Sequence, residues 1–257
     1  MRRCALLLAG CFLQSCAVVP SADLKVPGPA IRQMVSRRAS AVVVMERGGL
    51  GGVGGWGTRG FVLSQVTKDA VGASATPISA DGYFLTAAHV LAHSAGRQVL
   101  VSYGHESQRE LKEARVVWCS EGADLALLHI PLRTDDYYRW SPAERWLPEG
   151  TRVIHGGLAT GATAAWGKLG SSLAPQGGFT GARKFKIDIP LQPGDSGGPV
   201  VDAYGALVGI NSAVEYLVPI ETAFFVDSEA SRPNVQKIQA LIEKDRGCNR
   251  RVDHPVE

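Results

Sequence analysis

QPGDSGGPVVD, residues 192–202, sets a hydroxyl between an acid and two glycines, then closes with proline ahead of an apolar strand. Two readings of this stretch are open. Gly194, Gly197 and Gly198 allow backbone conformations that a side chain forbids, so the segment can be a tight turn and nothing more. It can equally present a nucleophile. A reactive serine needs an exposed hydroxyl, backbone N–H groups converging on one point, and room for a carbonyl to approach. For Ser196 that second reading requires a base and an acid elsewhere in the chain.

Upstream, YFLTAAHVL (residues 83–91) places His89 after an apolar run and small residues, where a strand ends. A histidine there is either structural or a general base. Between the two stretches, EGADLALLHIP (residues 121–131) has Asp124 leading an apolar strand. Asp124 reads as a turn residue, or as the acceptor that holds the tautomer of a catalytic imidazole. The chain order His89, Asp124, Ser196 is neither the serine-first order of α/β-hydrolases nor the aspartate-first order of subtilisins. His129 and His155 lie in apolar strands and read as core or rim residues. No Cys/His/Asp cluster has ligand spacing, so no metal and no cofactor is expected.

Around these blocks, short apolar runs recur between glycine-rich breaks. SAVVVM, GFVLSQ, YFLTAAHVL, QVLVSYG, ARVVWC and LALLHIP form one group. TRVIHGG, AWGKLG, KFKIDIP, GPVVD, ALVGINSAV and AFFVD form a second, beyond a proline-bearing connector. This is all-β spacing, and two groups of about six strands point to two barrels or a sandwich pair. RPNVQKIQALIEKDR then places Val235, Ile238, Leu241 and Ile242 at helical spacing, giving one C-terminal amphipathic helix. GGLGGVGGWGTRG (residues 48–60) reads as a hairpin loop, because no helix pattern follows it as a phosphate-binding loop requires.

TAAHV, ADLALL and GDSGGP together resemble the three catalytic blocks of the trypsin/chymotrypsin clan of serine proteases, and are most similar to bacterial HtrA-type members. The likeness runs from about residue 40 to about residue 227. It implies two six-stranded antiparallel β-barrels with a cleft between them: residues 39–135 and 136–230, with helix and tail in 231–257. It implies that Ser196 attacks a peptide carbonyl, His89 relays the proton and Asp124 orients His89. The backbone N–H groups of Gly194 and Ser196 would form the oxyanion hole. Pro190, six positions before Ser196, would line the pocket for the substrate side chain and disfavours Lys or Arg there. Ile210, Asn211 and Ser212 would pair with an extended substrate backbone.

Three departures from the family pattern stand out. About 30 residues follow AFFVD, too few for the PDZ domain that HtrA-type enzymes carry. Asp195 stands where those enzymes commonly have asparagine, as in trypsin-type zymogens. No IVGG-like start exists to pair with it, so a different cation near Asp195 is needed if that acid is to be neutralised.

The remaining features bound location and partners. With 257 residues, 45% hydrophobic, 20% charged and a formal net charge of +3, the composition is that of an ordinary globular chain. Basic residues are scattered, so no nucleic-acid partner is expected. MRRCALLLAGCFLQSCAVVP has the arginines, short apolar run and small residues of an export signal, with lipobox-like sequences before Cys11 and Cys16. Residues 1–16 therefore read as a lipoprotein signal, with lipid on Cys16 or alternatively Cys11, and residues 17–38 as a proline-bearing tether. Cys119 and Cys248 remain for the folded part, where one bridge is allowed but no disulfide framework is implied. The expectation is an envelope serine endopeptidase acting on proteins or peptides. A noncatalytic peptide-binding module and an esterase on the same scaffold are the alternatives.

Overall fold

The computed structural model describes residues 21–47, 71–92, 94–104, 109–159, 166–177, 181–216 and 226–253. The leader cysteines, the glycine-rich stretch and GFVLSQ lie outside them.

The N-terminal unit is built from β1 (Ser40–Met45), β2 (Val71–Pro77), β3 (Tyr83–Thr86), β4 (Gln98–Tyr103), β5 (Glu110–Glu113), β6 (Arg115–Ser120) and β7 (Leu125–His129). These strands form one antiparallel sheet in the order β5-β4-β1-β2-β3-β7-β6. The first and last strands of that order are separated in the chain by Ala114 alone. The sheet therefore curls until its two edges meet end to end, an incomplete barrel whose sixth strand is bent into two pieces. Its interior holds Val42, Val44, Ala73, Phe84, Val101 and Leu128.

The C-terminal unit contains β8 (Arg152–His155), β9 (Trp166–Leu169), β10 (Arg183–Asp188), β11 (Pro199–Asp202), β12 (Leu207–Tyr216) and β13 (Val226–Arg232). It closes fully, in the order β10-β13-β12-β11-β8-β9 with β9 returning to β10. Closure leaves this barrel no exposed sheet edge along its paired residues. Leu147, Val153, Leu169, Phe185, Ile187, Val200 and Val208 fill it.

A third apolar cluster joins the two units. Tyr83, Leu85, Leu125 and Leu127 from the first sheet meet Ile154, Val201, Leu207 and Ile210 from the barrel, with Tyr138 of the connector between them. Helix α2 (Val235–Asp253) lies over this seam, burying Val235, Ile238 and Ile242. Asn234 starts it, its side-chain oxygen accepting from Lys237 N–H at 2.9 Å. Near its other end Asp245 accepts from Tyr83 Oη at 2.8 Å and from both Arg115 terminal nitrogens, while Arg246 grips Asp81 at 2.7 Å. The C-terminal helix thus straps barrel to sheet.

Within the expected tether, Pro29–Arg37 form helix α1. Pro29 opens the helix after Gly28, and Ile31, Met34 and Val35 fall at helical spacing. Val35 is fully buried in the joint cluster, and Asp23 O accepts from Arg152 N at 2.8 Å, so residues 23–37 lie along the C-terminal barrel. Cys119 and Cys248 are both free and exposed.

Candidate active site

The chain leaves β3 through Ala87 into a short 3-10 turn, Ala88–Leu91, which carries His89. The imidazole is half exposed, not buried as its apolar flanks imply. Asp124 closes the turn before β7 with φ of 47°, a left-handed conformation that few side chains adopt and aspartate tolerates best. Asp124 is thus at once a turn residue and an acceptor facing His89: the turn is what delivers the acid. Its carboxylate oxygens lie 2.9 and 3.1 Å from His89 Nδ1, and Oδ1 also accepts from His89 backbone N–H at 2.9 Å. Nδ1 thereby acts as the donor, leaving Nε2 for a reacting group.

Ser212 was missed as a support for the acid. Its hydroxyl donates to Asp124 Oδ2 at 2.6 Å. It sits at a register shift in the β12–β13 ladder between Asn211 and Ala213, and a bulge of this kind re-aims a side chain. Ser231 Oγ adds a bond to Ala123 O at 2.9 Å. The turn that bears Asp124 belongs to the first sheet but is anchored on the second barrel.

Burial pushes the Asp124 carboxyl upward, yet the bonds from His89 and Ser212 outweigh it and hold the group below its ordinary value of 3.8. The same contact raises His89 above 6.5, with partial desolvation opposing. An ionised acid beside a base whose protonated form is favoured is the electrostatic arrangement proton relay needs.

Ser196 sits in the turn between β10 and β11, which the first sheet holds from one side. Ser74 N–H donates to Ser196 O at 2.9 Å, Ser74 Oγ to Gly194 O at 2.6 Å, and Thr76 Oγ1 to Gly197 O at 2.8 Å. On the other side Gly197 N–H donates to Asn211 O at 2.8 Å, and Asn211 N–H to Gly198 O at 2.9 Å. Gly197 has φ of 85°, and a Cβ there would lie 2.1 Å from Ser74 O and 2.4 Å from Thr86 Oγ1. No other residue fits. Gly194 also has positive φ, at 105°. Among the described residues neither the N–H of Gly194 nor that of Ser196 meets an acceptor, and the Ser196 hydroxyl makes no hydrogen bond. Two unpaired backbone donors beside a free hydroxyl, with the carbonyls of residues 194–198 pinned, form a site able to receive an oxyanion.

The structure therefore gathers His89, Asp124 and the Ser196 turn at the junction of the two units, linked through Asn211 and Ser212. The other expected residues are spread wider. Pro190 is exposed at the rim, above Ile189, whose carbonyl accepts from Ser228 Oγ at 2.8 Å. Ile210 and Asn211 are fully buried and bonded to both β11 and β13 or the turn that precedes β11. From Ala213 to Tyr216 β12 pairs with β13 alone among the described residues, so the open edge begins at Ser212. His129 packs on the Tyr83 ring and reaches Asp81 O at 3.2 Å.

Comparison with known proteins places this geometry in context. Residues 73–210 match the trypsin-like peptidase domain. A DegP-like periplasmic serine endoprotease of Pseudomonas fluorescens is 32% identical over 167 residues, covering 59% of this chain and 33% of that protein. A namesake from Ectopseudomonas mendocina is 28% identical over 199 residues, covering 70% and 40%. The chain thus spans between a third and two fifths of these relatives. Among solved structures, the HtrA-type protease AlgW with a tripeptide superposes with a TM-score of 0.57 at 23% identity, covering 84% of this chain and 65% of that one. The likeness establishes a common fold.

Proposed function

The chain belongs to the trypsin-like peptidase family, and we propose that it is a serine endopeptidase that cleaves extended or unfolded polypeptide. One observation carries the proposal: an Asp124–His89 couple braced by Ser212 stands beside a serine turn with two unpaired backbone donors.

In the proposed reaction Ser196 Oγ attacks the scissile carbonyl carbon while its proton passes to His89 Nε2. Asp124 stays ionised and stabilises the imidazolium. The carbonyl oxygen, now an oxyanion, is received by Gly194 and Ser196 N–H. His89 returns its proton to the leaving amine, and the C–N bond breaks to leave an acyl-enzyme. A water, deprotonated by His89, then releases the acid and restores Ser196. The open edge of β12 from Ser212 onward supports pairing with the substrate backbone, and Pro190 at the rim supports an uncharged side chain in the adjoining pocket.

The periplasmic relatives support an envelope location, and the leader motif alone supports lipid on Cys16, or alternatively Cys11. Incorporation of labelled palmitate into Cys16→Ser and Cys11→Ser variants separates these, since only loss of the acceptor abolishes it.

The hydroxyl of Ser196 forms no hydrogen bond to His89, which favours a second reading: a cleft that binds peptides without cleaving them. Resting catalytic contacts are often loose and tighten only with substrate. Labelling with a fluorophosphonate decides between the two. Rapid, stoichiometric labelling, mapped to the peptide containing Ser196 and abolished in His89→Ala, supports the peptidase. Labelling no faster than a free serine supports the binding module. Amide and ester substrates compared side by side dispose of an esterase.

A further inference from the structure

His155 ends β8 beneath the serine turn and is fully buried, as is Asp195. Its Nε2 stands 3.4 Å from Asp195 Oδ2, while its Nδ1 meets the Asn211 side-chain amide at close range. With the Asn211 amide nitrogen donating to Nδ1, the ring proton sits on Nε2, on the side of the carboxylate but outside hydrogen-bond geometry. Backbone N–H groups also donate to Asp195: Ala159 to Oδ1 at 3.0 Å and Gln192 to Oδ2 at 2.9 Å. The packing leaves no slack. A Cβ on Gly157 would lie 2.4 Å from Asp195 Oδ1 and 2.8 Å from His155 Cε1. These are polar groups placed, at the cost of desolvation, in a site where apolar side chains would pack.

Their position says what they do. Asp195 lies between Gly194 and Ser196, so the direction of its side chain sets the tilt of the 195–196 peptide unit, which carries the unpaired Ser196 N–H, and fixes the backbone into which Gly194 leads. Asn211 works from both ends: its side chain holds His155, and its backbone holds Gly197 and Gly198. The turn is thus clamped through one network on both flanks of the nucleophile.

We propose that His155, Asn211 and Asp195 form a built-in positioning device that keeps the Gly194 and Ser196 N–H groups aimed at the oxyanion. It supplies from within the barrel a donor facing Asp195, without a freed chain terminus. His155 is a positioning residue and touches no substrate. The inference rests on the reading of Ser196 as the nucleophile, and its test separates the two.

The full chain is compared with His155→Leu, which keeps volume and loses both ring nitrogens, and with His155→Gln, which keeps a donor. Turnover of a fluorogenic peptide is measured alongside thermal melting and the amide resonances of glycine- and serine-labelled protein. In His155→Leu kcat falls by about 10²-fold, the scale of losing one oxyanion donor, while KM changes by less than about threefold. His155→Gln recovers most of the loss. The Gly194 and Ser196 amides shift, while those of Gly82 and Gly205 in remote turns stay in place. Should His155→Leu not fold, Asn211→Ser, which keeps the backbone bonds and frees the imidazole, shows the same fall in kcat. A folded variant with unchanged kcat, or one whose KM alone rises, overturns the proposal. If the parent cleaves nothing yet the amides shift, the peptidase reading fails and the positioning device stands. If the amides do not move, the device fails whatever the activity.

Discussion

At the scale of single residues, the chemistry is governed by one carboxylate and what it touches. Asp124 raises His89 above 6.5 through a direct hydrogen bond, against partial desolvation. In the proposed reaction only the neutral imidazole takes the proton from Ser196, so kcat/KM is expected to rise with pH along a limb centred above 6.5, read from a pH–rate profile. The linked stability has the opposite sense: a raised folded-state value contributes fully below pH 6.5 and is lost as pH rises through that value. Asp124→Asn removes the ionised acceptor and lowers kcat on the order of 10⁴-fold with the fold intact. Gly197→Ala forces a side chain into positive φ against Ser74 O. It costs at least about 2 kcal/mol of stability by chemical denaturation and abolishes cleavage. His89, Asp124 and Ser196 were legible because each sits in a local pattern of small or apolar neighbours. Ser212 and the His155–Asp195 contact were not, because a bulge and a contact spanning two strands leave no periodic trace in the chain.

At the scale of elements, α2 is the piece whose removal the account predicts to be most costly. Ile238 is 1% exposed at the seam between the two units, so Ile238→Ala destabilises by about 2–5 kcal/mol in an equilibrium unfolding curve. Asp245 ties the same helix to the first sheet. The Arg115 guanidinium holds its carboxyl below 3.8 against partial burial, with Tyr83 assisting. That contribution is complete above pH 3.8 and disappears as pH falls through the depressed value. Asp245→Asn loses about 2 kcal/mol at neutral pH and flattens the acid limb of the stability curve. The sequence announced α2 plainly, since Val235, Ile238 and Ile242 are its buried residues. α1 carried a shorter version of the same pattern in Ile31, Met34 and Val35, masked by prolines on either side of Gly28. Read as helix punctuation, Pro29 marks a start; read as composition, it marks a tether.

At the scale of the whole molecule, two curled sheets share one apolar seam, and the site exists only where they meet. The first sheet supplies His89, Asp124 and the Ser74 and Thr76 bonds that hold the serine turn. The second supplies Ser196, Ser212 and the buried support beneath them. The two strand groups were visible in the sequence, but the manner of closure was not: a bend at Ala114 turns one strand into two and leaves the N-terminal barrel incomplete. Because the proposed site draws residues from both units, hydrolysis of casein by the folded chain is compared with that by Ser196→Ala, both melting at similar temperatures. The parent is expected to cleave at extended, uncharged sites and the variant not at all. Equal cleavage by both, or none by a folded parent that also fails to react with a fluorophosphonate, would contradict it.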